Sequence, residues 1–227
     1  MKIVSIFPSI NGEVCREHQG SLTTFIRTFG CNANPHCSYC DTKYSYGSNP
    51  FQEMRVRDIV SEVKKLGCKN VTITGGEPLI QRGTMNLIYD LAAQGFVVSI
   101  ETNGTVPIPM HIPIGFPRNI LSWVVDYKLP SSGCEAQMNF DHYRCLGPTD
   151  FVKFVVSDEK DFLRALDVIP RIRTMFGMGQ PKFAFSPMFG EKSCSPETLA
   201  QWVIENELLR KIGAIYSLQI HKILNVL

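Results

Sequence analysis

Apolar residues recur along this chain in two alternating rhythms. Thr23, Phe25, Ile26 and Phe29 give residues 21–29 the β-branched and aromatic weight of a strand. Arg27 interrupts it: a charge inside an apolar strand sits at an edge, snorkels to water, or points into a cavity to hold an anion. Val56, Ile59, Val60, Val63 and Leu66 then repeat at helical spacing and stop at Gly67, the expected place of a left-handed cap. A β-branched run over 70–74 ends in TGGEP at 74–78. Met85, Ile88, Leu91 and Ala92 mark a second helix closed by Gly95, and a strand over 96–100 runs into ETNG at 101–104. Strands are also predicted over 121–125, 151–156, 182–185 and 214–219. Asp158 announces a helix whose face is Phe162, Leu163, Leu166 and Ile169, ending before Pro170. Ser195 and Pro196 open another, with Leu199, Trp202, Val203 and Leu209 as its stripe. Prolines at 107, 109, 113 and 117 forbid a regular helix over 105–119, which reads as a crossing loop with His111 as a solvated loop histidine.

Strands alternating with helical segments imply βαβ units and a parallel sheet. About seven strands with few helices predict an α/β fold of the partly closed kind, an incomplete parallel β/α barrel. In such folds ligands bind at the carboxyl ends of the strands. The polar exits all lie at predicted strand ends: GCNANPHCSYCDT at 30–42, TGGEP, ETNG, DYKLPSSG at 126–133 and SPM at 186–188. They should converge on one cavity.

Composition narrows the setting. A chain of 227 residues fits one domain over 1–227, and 44% hydrophobic with 19% charged residues is ordinary for a globular protein. A net charge of +2 with no long basic block argues against a nucleic-acid surface. The first ten residues form an apolar run cut by Pro8, too short for a signal peptide, and no apolar stretch reaches the ~20 residues of a membrane helix. The expected setting is a reducing cytoplasm, without membrane, where thiols stay available.

Of eight cysteines, Cys31, Cys37 and Cys40 fall within ten residues and precede the hard-oxygen pair Asp41 and Thr42. Three thiolates so close suit a soft metal or an iron–sulfur cluster. With three ligands, a four-iron cube keeps one iron open for an outside ligand. Two plainer readings stand beside it: a structural zinc site that adds His36, and unrelated buried cysteines. Cys15, Cys68, Cys134, Cys145 and Cys194 are scattered singly and read as small buried hydrophobes.

The three cysteines followed by GGEP resemble the radical S-adenosylmethionine enzymes, and more finely the 7-carboxy-7-deazaguanine synthase family. That likeness covers nearly the whole chain: INGE at 10–13, Arg27 before Cys31, CDT at 40–42, TGGEP, IETNG, DYKLPSSG, SPM and the closing QIHKILNVL at 219–227, which structural logic alone reads as a polar, frayed end. The cysteine spacing CxxxxxCxxC is two residues longer than the usual CxxxCxxC, and Asn11 and Val14 differ from the common QGEG motif. The resemblance implies that Cys31, Cys37 and Cys40 hold a 4Fe–4S cluster in the loop 30–42. Tyr39, Gly76, Asp126, Tyr127, Lys128, Ser186, Pro187 and Met188 would surround S-adenosylmethionine. Ile10, Asn11, Gly12, Glu13, Arg27, Thr74, Glu101 and His221 would line a pterin pocket, with the terminal carboxylate of Leu227 beside them in a substrate-binding tail. Thr42 would bind Mg2+, unless it only caps the loop. The implied reaction is radical ring contraction of 6-carboxy-5,6,7,8-tetrahydropterin with loss of ammonia, with no catalytic residue beyond the cofactor. A flavodoxin-type electron donor and a homodimer go with it. Two alternatives are an activase that plants a glycyl radical on a partner protein, and a non-enzymatic zinc-binding module.

Overall fold

The computed structural model describes residues 1–109, 118–176, 179–190 and 193–226. Its first element has no counterpart in the predicted strands. β1 (Lys2–Ile10) pairs antiparallel with β2 (Leu22–Thr28) and, at Lys2 and Ile3 only, with the two-residue β3 (Gln52–Glu53). Pro8 lies beyond the reach of β3, where β1 is an edge, and an edge tolerates a residue with no N–H.

The predicted grammar then holds. α1 (Val56–Leu66) ends at Gly67 with φ 75°, and β4 (Asn70–Gly75), α2 (Thr84–Ala93), β5 (Val97–Thr102), β6 (Leu121–Asp126) and β7 (Phe151–Val156) follow in order. α3 (Glu159–Arg173), β8 (Lys182–Pro187), α4 (Pro196–Glu205), α5 (Glu207–Ile212), β9 (Ile215–Tyr216) and α6 (Ile220–Leu224) complete the chain. The strands form one open sheet in the order β3-β1-β2-β4-β5-β6-β7-β8-β9, parallel from β2 to β9.

Nine strands among the described residues thus replace the predicted seven, and five further expectations need correcting. Pro170 does not end α3, because Ile169 and Ile172 on either side are fully buried against the sheet. Burying Ile172 is worth about 1.5–3 kcal/mol, comparable with the ~3 kcal/mol cost of a proline in a helix interior. Leu163 is 54% exposed, while Phe162 and Ile169 are buried as expected and Ala165, Val168 and Ile172 join them on the buried face. The stripe from Leu199 to Leu209 is two helices, broken at Asn206, whose side chain caps α5 by accepting from Leu209 N at 3.1 Å. The last predicted strand shrinks to two residues, and the tail after it is helical rather than frayed. Most of the crossing loop, with His111, lies outside the described residues.

Alternation along the parallel strands sorts the side chains onto two faces. Ile26, Ile73, Ile100, Val125, Phe154 and Phe185 point to the helices and form the main core with Ile59, Leu87, Leu91, Val168 and Leu199. The opposite, inner face carries a small apolar plug of Val14, Val124, Phe151 and Ala184. Beyond the plug it turns polar. Among the described residues no helix is long and apolar enough to cross a membrane.

Candidate functional site

The inner face opens into a cavity of about 680 Å³ at the carboxyl ends of β2, β4, β5, β6 and β7, lined by Arg27, Thr74, Glu101, Asp126 and Lys153 together with the cysteine loop and the tail. The cysteine loop leaves β2 through Gly30, at φ 100°. Two backbone bonds seat it on the end of β4, Gly76 N to Thr28 O at 3.1 Å and Glu77 N to Gly30 O at 2.7 Å. A Cβ on Gly76 would lie 2.0 Å from Gly30 O, so this position admits no side chain. Glu77 is fully buried, and desolvation pushes its pKa up to about 7. Its carboxyl accepts from Leu79 N, the Thr102 hydroxyl and Asn103 N at 2.9, 2.8 and 2.7 Å. TGGEP and ETNG are therefore locked together beneath the cysteines.

Cys31, Cys37 and Cys40 carry free thiols and share one wall of the cavity. Among the described residues no group of three or more His, Cys, Asp or Glu side chains gathers on a single ion, and His36 is stacked on the Tyr46 ring at 3.9 Å. A lone zinc ion is poorly served by that spread. A cube, whose irons occupy separate corners, suits three thiols set apart along a wall. Cys134, expected to stand alone, lies fully buried with its sulfur 3.6 Å from that of Cys37.

The far side of the cavity is a charge network. Lys153 Nζ donates to Glu13 and lies 3.2 Å from Asp126 Oδ1, while Lys128 Nζ reaches Asp126 Oδ2 at 2.5 Å. Burial opposes the charge on Asp126, but the two ammonium groups win and hold its carboxyl below the usual range. They gain in turn, and both lysines are held above theirs. Glu101 goes the other way: desolvation and the neighbouring Glu13 raise it to about 7, against the pull of Lys153, the Thr74 hydroxyl (2.8 Å) and Arg27. Among the described residues, three buried polar atoms of side chains lining the same cavity have no hydrogen-bond partner: Arg27 Nε, the Tyr39 hydroxyl and Gln219 Oε1. Each costs about 1–3 kcal/mol unless a ligand satisfies it.

The tail closes the rim. Ile220 N donates to Gly12 O at 3.0 Å, and the His221 ring occupies the space a Cβ on Gly12 would take, 1.9 Å from Nδ1. Burial lowers the pKa of His221 although Glu13 works against it. Gln219 donates to Glu13 at 2.6 Å. Lys222 pairs with Asp41 at 2.5 Å; desolvation disfavours that carboxylate, yet Lys222 holds its pKa down to about 2. Thr42 donates its hydroxyl to Asp41 at 2.8 Å and makes no side-chain cap to the turn that follows.

Most of the residues implied by the sequence meet here. Ile10, Gly12, Glu13, Arg27, Cys31, Cys37, Tyr39, Cys40, Thr42, Thr74, Gly76, Glu101, Asp126, Lys128, Met188 and His221 all line the cavity. Of the described residues four do not, each for a visible reason, and a fifth is not described. Asn11 turns into the sheet, donating to Thr72 at 3.2 Å and accepting from Glu13 N. Tyr127 faces the main core against Phe140, Tyr143 and Phe154. Ser186 is buried and donates to Ser217 O, and Pro187 beside it is buried at the end of β8. Leu227 lies outside the described residues. Lys153 was missed, though FVKFVV carries the same signal as Arg27, one charge inside an apolar strand. The Asp41–Lys222 pair had no such signal.

A family model for the Radical SAM superfamily matches residues 25–112. The 7-carboxy-7-deazaguanine synthase of Clostridium acetobutylicum is 39% identical over 226 residues, covering 98% of this chain and 95% of its own. That of Methanospirillum hungatei is 37% identical over 227 residues, 100% of this chain and 86% of the relative, and that of Koribacter versatilis 32% over 236, 98% and 96%. Among solved structures, Streptococcus suis SuiB matches with a TM-score of 0.62 at 12% identity, over 86% of this chain and 48% of SuiB, so this chain spans about half of that protein. SuiB bound to S-adenosylmethionine gives 0.59 at 11% identity, over 84% and 48%. At such identities the likeness is one of fold. The open, mostly parallel sheet is an incomplete β/α barrel of the radical S-adenosylmethionine type.

Proposed function

The chain belongs to the 7-carboxy-7-deazaguanine synthase family of the radical S-adenosylmethionine superfamily, and from that premise we propose how its own side chains divide the work. The reaction is ring contraction of 6-carboxy-5,6,7,8-tetrahydropterin to 7-carboxy-7-deazaguanine with loss of ammonia. Membership replaces both alternatives, the glycyl-radical activase and the zinc-binding module. When bound, a 4Fe–4S cluster on Cys31, Cys37 and Cys40 together with S-adenosylmethionine supplies a hydrogen-abstracting radical; the protein's share is to bind, orient and exclude water.

The assignment of substrate contacts rests on Arg27. Its guanidinium has a buried, unsatisfied Nε at the cavity wall, between the rings of Phe7 and Tyr44 at 6.0 and 5.7 Å. A planar fork of this kind grips a carboxylate through two parallel bonds, and the pterin carboxylate is the group it would hold. Glu13, Gln219 and His221 present acceptors to the donor edge of a 2-aminopyrimidinone ring, with Lys153 fixing the Glu13 carboxylate. Glu101, raised toward neutrality, and Thr74 complete that side. Tyr39, Gly76, Asp126, Lys128 and Met188 face S-adenosylmethionine, to which Tyr127, Ser186 and Pro187 contribute backbone at most.

Thr42 is the magnesium ligand in this reading, since its hydroxyl lone pairs stay available while its proton goes to Asp41. A cytoplasmic setting, an electron donor such as a flavodoxin and a homodimer belong to the same reading through the family likeness. Anaerobic incubation of the reconstituted protein with the carboxypterin, S-adenosylmethionine and a reductant should yield a product of the mass of 7-carboxy-7-deazaguanine. Magnesium should raise the yield in the wild type and do so far less in Thr42→Ala. Equal magnesium responses would remove Thr42 from the site.

A further inference from the structure

Two of the three cluster cysteines each have a side-chain hydrogen-bond donor, and the two donors come from separate parts of the chain. Asn103, in the ETNG turn, directs Nδ2 at Cys31 Sγ over 3.8 Å. The orientation of its amide is fixed, because Oδ1 accepts from both the backbone N–H (2.9 Å) and the hydroxyl (2.6 Å) of Thr105, which leaves the two NH2 protons for the sulfur and for Asn32 Oδ1 at 3.2 Å. Cys134, after the DYKLPSSG exit, directs its thiol at Cys37 Sγ over 3.6 Å.

Cys134 has other acceptors in reach, Pro35 O at 3.1 Å and Ser132 O at 3.7 Å. With Cys37 anionic as a cluster ligand, the charged sulfur is a stronger acceptor than a neutral carbonyl, since a bond to an ionised partner is roughly twice as strong. A donor aimed at a ligand sulfur stabilises the more negative, reduced cluster more than the oxidised one and so raises its potential.

We propose that Cys134 and Asn103 are positioning residues that hold the cluster at a higher reduction potential than three unassisted thiolates would, easing its one-electron loading by a protein donor. The proposal rests on the cluster being carried by Cys31, Cys37 and Cys40. It concerns donors that act on the cluster through those ligands.

The test is an anaerobic redox titration of the reconstituted full-length protein, followed by the paramagnetic signal of the reduced cluster. Cys134→Ala and Asn103→Ala should each lower the midpoint so that the ratio of reduced to oxidised cluster at fixed potential falls about tenfold, ~59 mV for a one-electron couple. Cys134→Ser keeps an O–H donor and should recover most of the shift. The double variant should fall further than either single one. Iron and sulfide analysis of the wild type checks the cofactor reading by itself, so a wild type without cluster speaks against that reading and not against the donors. Midpoints unchanged in fully loaded Cys134→Ala and Asn103→Ala overturn the proposal. Should Cys134→Ala fail to hold its cluster, Asn103→Ala decides: an unmoved midpoint there overturns it equally.

Discussion

Consecutive residues of the same strands face two environments that are both withdrawn from water and yet differ in kind. Ile26, Ile73, Ile100, Val125 and Phe154 meet the helices; Arg27, Thr74, Glu101 and Asp126 follow four of them in sequence, Lys153 precedes the fifth, and all meet the cavity. Lys153 is 7% exposed and Phe154 0%, so burial alone does not separate the faces. What separates them is completion. The five apolar outer side chains bring no polar atom that needs a partner, whereas the cavity wall leaves Arg27 Nε, the Tyr39 hydroxyl and Gln219 Oε1 unsatisfied among the described residues. Stability is built on one face, and an unmet demand for a ligand is stored on the other.

Neighbouring substitutions on the two faces should pull this comparison apart. Lys153→Met strands the Glu13 and Asp126 carboxylates, and removing one partner from a buried charge group costs about 3–5 kcal/mol. Phe154→Ala one residue on should cost a similar 3–5 kcal/mol through the cavity it leaves. Denaturant midpoints should therefore fall alike. Product formed per folded molecule should vanish in the first variant and persist in the second; equal activity in the two would erase the distinction between faces.

A smaller effect is expected on β2, four strands away in the sheet. Arg27→Met should raise KM for the carboxypterin by about 10–100-fold, the worth of a charge-assisted bond at 1.5–3 kcal/mol, without loss of stability. Ile26→Ala should do the reverse, costing about 2–5 kcal/mol in stability with KM unmoved.

The smallest expected difference is in pH dependence. Glu101 has its native pKa raised from the ordinary carboxylate range to about 7, chiefly by desolvation, so across that window the folded chain keeps a proton that the unfolded chain has released. Its contribution to stability is therefore lost as pH rises. Between about pH 5 and about pH 8 the wild type should lose more stability than Glu101→Gln, by about 1–2 kcal/mol, in parallel urea titrations. Equal losses in the two proteins would mean that the carboxyl is ionised throughout. Glu77, which shares the window, is unchanged in both proteins and cancels.

Much of this architecture was legible beforehand because it is local. Helical spacing from Val56 to Leu66, the cap at Gly67 and the proline start at Pro196 depend on residues a few positions apart, and all three hold. The cysteine loop and the polar exits were legible for the same reason, since a strand end and its loop are contiguous. β1 was not, because its antiparallel pairing with β2 is what makes Lys2–Ile10 a strand at all. Tyr127 and Ser186 were placed by motif in the cavity, but the pleat and the neighbours of each strand turn them away from it.

By itself the sequence determined the order of strands and helices, the trio of thiols and the end of the barrel at which chemistry would gather. Only the tertiary structure decided that Lys153 joins Glu13 across 140 positions, that Cys134 meets Cys37 across 97, and that the tail folds back over Gly12. The physical reason is one of range: backbone propensity and side-chain spacing act over a few residues, whereas a buried charge or thiol takes its role from whichever distant group the folded sheet brings within about 4 Å.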